Sequence, residues 1–150
     1  MMAFAVGLST LLLAGFYYVF RIPVTVFFIA LGVFVSVGAL FVQGGANTPG
    51  VNDLFMLTNE GPFAIITIVL GLLALAIALR FDMSDPHRVT RRASAGFWLH
   101  VIAAPAIVNT IALTLFEQGG VLGQIVLLAF LGAMAIFAMI IDRRSFLVAG

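Results

Sequence analysis

His100 lies well inside an apolar stretch, Ala93 to Phe116, whereas the seven Arg and the six Asp or Glu residues all fall at the ends of such stretches or between them. A histidine in hydrocarbon can bind a metal or haem, pass a proton, or hydrogen-bond a neighbouring helix. A haem held between helices wants a second axial ligand, but the other histidine, His87, falls in a polar connection, and Met134 and Met139 read as packing residues. There is no His-Glu-x-x-His motif, no pair of carboxylates within helices for an aspartyl protease, and no glycine frame around Ser9 or Ser36, the serines that could pair with His100. The chain is therefore not expected to be an enzyme or to hold a metal or cofactor.

At 100° per residue His100 shares a helix face with Ala103, Ala104, Ile107, Ile111 and Thr114, while Asn109 lies opposite with Trp98, Ile102 and Pro105. The alanines suit close helix contact. His100 is thus expected to be buried against another span and bonded to a hydroxyl or a backbone carbonyl, such as one freed near Val101 by Pro105, with no carboxylate in any span. Two functions fit. The preferred one is a membrane-anchoring or scaffold domain whose polar residues join helices. The alternative is a subunit of an oligomeric small-solute transporter or channel, with His100, Asn109, Thr110, Thr114 and Gln124 lining a polar path. Five spans with so few internal polar groups do not enclose a selective site alone, so the alternative needs a homo-oligomer or a larger membrane complex.

The elements that carry these residues follow from composition. Of 150 residues, 63% are hydrophobic and 9% charged, and mean hydropathy is +1.24. A water-soluble domain has about 25% charged residues. The bilayer is therefore the expected partner. A net charge of +1 excludes nucleic acid, whose phosphates require clustered basic side chains. With no cysteine there are no disulfides and no thiolate sites. Crossing the hydrocarbon takes about 20 apolar residues as a helix. Five stretches qualify, residues 1–20, 22–42, 62–79, 93–116 and 119–141, within a single all-α transmembrane bundle covering 1–150. Each is apolar on every side, which excludes the alternating strands of a barrel. The first charge comes at Arg21, too late for a signal-peptide n-region.

Counting alternate sides of five spans puts Arg21, Arg80, Arg88, Arg91, Arg92, Arg143 and Arg144 on one side and no arginine on the other. The positive-inside rule then predicts an outward N-terminus. Arg88, Arg91, Arg92, Arg143 and Arg144 are candidate contacts for lipid head groups. The connection from Gln43 to Gly61 is rich in turn formers around Val51 to Thr58, where Leu54, Phe55 and Leu57 predict a short helix resting on the membrane surface. Between the third and fourth spans, Ser84 or Asp85 is expected to cap a short helix opening at Pro86.

The stretch Asp82-x-x-Asp85-Pro86-x-Arg88-x-Thr90-Arg91-Arg92-x-Ser94-x-x-Phe97-Trp98-Leu99-His100-x-x-Ala103-Ala104-Pro105 and the later Ile141-Asp142-Arg143-Arg144-Ser145-Phe146-Leu147-Val148 resemble two blocks of a group of uncharacterised multi-pass inner-membrane proteins from bacteria. The blocks and the helices between them cover about the last 70 residues. The resemblance implies a bacterial inner-membrane location and a chain longer than this one, but no activity. Where that group often has an acid after the serine of the first block, this chain has Ala95. Ser145 to Gly150 likewise read as the first turns of a partial sixth helix, after an arginine pair like that before Ala93.

Overall fold

A backbone within hydrocarbon must satisfy its own hydrogen bonds, and the apolar stretches do so as helices. The computed structural model describes residues 2–85 and 90–141, and among these there are helices but no strands. The long helices are α1 (Met2–Phe20), α2 (Thr25–Gln43), α4 (Phe63–Ser84), α5 (Arg91–Glu117) and α6 (Gly120–Ile141). A single short helix, α3 (Val51–Phe55), sits between α2 and α4. All five long helices are long and apolar enough to cross a membrane. The chain is a multi-pass membrane protein.

The centre is the antiparallel pair α4 and α5. In α4 the residues Ala64, Thr67, Gly71, Ala74 and Ala78 recur at alternating steps of three and four and are all buried. That is one helix face of small side chains, which lets two backbones approach closely. A Cβ placed on Gly71 would come 2.9 Å from Ala106 Cβ and 3.2 Å from Ile107 Cγ1 of α5. Ala74 and Ala78 close the same seam against Leu99 and Ala103. Half of the most apolar stretch of α5 is buried, against 6% for α1 and for α6. The outer helices therefore bury little within the bundle. α1 lies on α2, with the Thr10 hydroxyl seated against Gly32, and α6 reaches α5 through Ala138 on Ala104.

Successive long helices run in opposite directions. Phe27 at the start of α2 meets Trp98 near the start of α5, ring centres 5.9 Å apart. Arg21, Arg80, Arg91 and Arg92 consequently share one end of the bundle, the arginine end. The loop carrying α3 lies at the other. At the arginine end, Arg21 adopts φ of 51° and its N–H bonds Tyr17 O at 2.8 Å, closing α1 in a left-handed residue. At the loop end, Gly119 and Gly120 both hold positive φ, 67° and 74°, a pair of conformations that glycine adopts without a steric penalty.

One expectation is corrected. The third span does not stop at residue 79, because α4 continues for more than a turn and holds Arg80 and Asp82 in helix. The Ser84 hydroxyl donates to Phe81 O at 2.8 Å inside the last turn of α4. The residue that caps α5 is Thr90, whose Oγ1 accepts from Arg92 N at 3.2 Å. Thr90 is itself fixed by Asp85 Oδ2, which accepts from the Thr90 amide at 2.8 Å and hydroxyl at 2.6 Å. The expected helix opening at Pro86 and the partial sixth helix at 145–150 lie outside the described residues.

The seam makes a clear expectation. Gly71→Ala should overpack α4 against α5 and cost about 1–3 kcal/mol. Gly15→Ala on α1, where an added Cβ meets nothing within 4 Å, should leave stability within about 0.5 kcal/mol. Unfolding of both variants in mixed micelles decides the matter, and equal behaviour of the two would remove the close seam.

Candidate functional site

Because α4 runs on to Ser84, Asp82 stays on a helix and faces the third turn of α5. His100 Nε2 donates to Asp82 Oδ2 at 2.8 Å. The His100 side chain is 0% exposed and that of Asp82 is 19% exposed, so the pair joins a fully buried ring to a carboxylate still reached from the arginine end. Gly96, one turn before His100, makes room for it, since a Cβ there would come 2.9 Å from Asp82 Oδ1 and 3.4 Å from Ala78 O. The expected partner of His100, a hydroxyl or backbone carbonyl, is thus replaced by a carboxylate. The register explains why: with a short connection between α4 and α5, a residue a little before the end of α4 lies opposite one a few turns into α5.

The remaining polar residues do not gather around this pair. Thr114 lies 14 residues beyond His100, about 21 Å along the helix. Its Oγ1 donates to Thr110 O at 2.7 Å and accepts from Leu57 N, in the loop, at 3.0 Å. Thr110 is fully buried and donates to Ala106 O at 2.6 Å. Asn109 is half-buried on another face of α5, and Gln124 is exposed on α6. Ser9 bonds Ala5 O within α1, and Ser36 stands on α2, so neither serine joins His100.

At the loop end, Thr58 bonds Glu117 and Asn59 Nδ2 donates to Asp53 Oδ1 at 2.8 Å. The other oxygen of Asp53 accepts from Gly50 N at 2.8 Å, at the start of α3. Leu54 and Phe55 are half-buried and α3 packs against α4 and α5, so this helix rests on the bundle. Arg91 and Arg92 are exposed in the first turn of α5, while Arg88, Arg143 and Arg144 lie outside the described residues. No group of three metal-binding side chains occurs among the described residues.

The pair is suited to fastening α4 to α5, because breaking one half leaves the other desolvated without compensation. His100→Leu and Asp82→Leu should each cost about 1–3 kcal/mol, and the double variant should cost clearly less than their sum. A double-mutant cycle on unfolding in micelles measures this coupling. Strict additivity would mean that the contact contributes nothing.

No family model matches the chain, and comparison with curated proteins and with solved structures finds no match.

Proposed function

We propose that the chain is a non-enzymatic membrane-anchoring or scaffold domain of a bacterial inner membrane, oriented with its N-terminus outside and acting within a homo-oligomer or a larger membrane complex. The observation that carries this reading is how the polar side chains within the spans are used. The hydroxyls of Ser9, Thr10, Thr110 and Thr114 each bond the carbonyl one turn back, and His100 bonds the adjacent helix. Groups already engaged in this way have little capacity left to strip water from a passing solute. A transport path draws less support, because Asn109, Thr114 and Gln124 are spread over different faces and helices.

The orientation rests on the arginines. Arg21, Arg80, Arg91 and Arg92 stand at one end, which the positive-inside rule assigns to the cytoplasm. With no native cysteine, single replacements are clean. In intact cells an impermeant thiol reagent should label Asn52→Cys and spare Arg91→Cys, and the reverse pattern would invert the topology.

Scaffold and transporter separate in proteoliposomes holding a trapped pH dye under an imposed potential. The scaffold reading expects the same proton leak with and without protein. A protein-dependent flux that vanishes in Asp82→Asn would replace it with proton transport.

A further inference from the structure

The α1–α2 hairpin leans on α4 and α5 along a narrow line and leaves a cleft on each flank of α2. One, of about 630 Å³, lies between α2, α4 and α5 beneath Pro49 and Phe55, and no charged residue lines it. The other, of about 240 Å³, runs between α1, α2 and α4 and is lined by residues including Tyr17, Val26, Leu73, Ile77 and Phe81. The residues that line the second cleft are followed in the chain by arginines at the arginine end. Arg80 immediately precedes Phe81 and follows Ile77 by three, which places it on the flank of the same helix stripe. Arg21 follows Tyr17 by four, and its N–H bonds Tyr17 O. Both arginines are exposed, and neither has an ion pair among the described residues. Asp82 does not neutralise them, because it lies about 200° around α4 from Arg80 and is turned to His100.

We propose that this cleft is a binding site for an anionic phospholipid, one acyl chain lying between α1, α2 and α4 and the phosphate held by Arg21 and Arg80. An apolar slot whose lining residues Tyr17 and Ile77 are followed by exposed Arg21 and Arg80 complements a molecule with an apolar chain and a terminal phosphate. The guanidinium fork matches phosphate oxygens in two parallel hydrogen bonds. Basic pockets between transmembrane helices bind acidic head groups for this reason. The larger, uncharged cleft can take a chain but cannot distinguish one head group from another.

The full chain, released from micelles holding equal phosphatidylglycerol and phosphatidylcholine of matched chains, is weighed with its bound lipid by native mass spectrometry. The bound lipid should favour the anionic species, by about fivefold for each arginine engaged. Arg21→Asn combined with Arg80→Gln should bring the ratio near one, asparagine being chosen because it tolerates positive φ. Asn52→Ala with Glu60→Gln, both exposed at the loop end, should leave the ratio within twofold. Val33→Phe, at an exposed position lining the cleft, should lower bound lipid at unchanged thermal stability, and inorganic phosphate should not displace the lipid. An unchanged ratio in the first pair, an equal loss in the second, or unaltered binding with the cleft filled would each overturn the site. Displacement by inorganic phosphate would reduce it to a simple anion contact.

Discussion

Everything in this bundle depends on how closely the backbones of α4 and α5 approach. Lipid is as apolar as leucine, so burying leucine gives little drive for helices to associate, and what holds them is dispersion at short range and the polar bonds it permits. The stripe Ala64, Thr67, Gly71, Ala74, Ala78 supplies that closeness, and Gly96 extends it to the arginine end. A bulkier residue at Gly96 would push α4 away and lengthen the bond between Asp82 and His100. The polar contact is therefore a consequence of the small-residue seam as much as a support for it.

The same closeness sets a hierarchy among the helices. α5 is buried on one side by α4, on another by α6 and partly by α2, whereas α1 and α6 each have one neighbour in the bundle. Their exposed surfaces, with Phe4, Leu11, Leu12, Leu122 and Leu128 among the most open, suit lipid and would be intolerable in water. Polar side chains follow this order too. The bonds between helices fall on α4 and α5, while those of α1 stay within its own turns.

The helices could be read from the sequence because length and uniform apolarity leave a segment no other way to cross hydrocarbon. What escaped the reading was the end of α4. Arg80 looks like the edge of a span, yet a helix does not stop where the apolar run stops, and an arginine can extend its charge toward the interface from inside the helix. Asp82 was consequently assigned to a loop, and its bond to His100 could not be foreseen. A register count across the connection, which sets residue 82 opposite residues 96 to 100, was the signal available. The bond from Leu57 N to Thr114 left no such trace, since a backbone amide in a loop carries no mark of its partner.

That bond also orders events in time. Leu57 and Thr114 are 57 residues apart, and Thr58 and Glu117 are 59 apart. A chain made N-terminus first at about 5–20 residues per second inserts the α1–α2 hairpin and the α3 loop roughly 3–11 s before the acceptors on α5 exist. During that interval the loop has only its internal bonds, Gly50 and Asn59 to Asp53, to shape it. The fastening of the loop to α5 thus records that α4 and α5 have arrived.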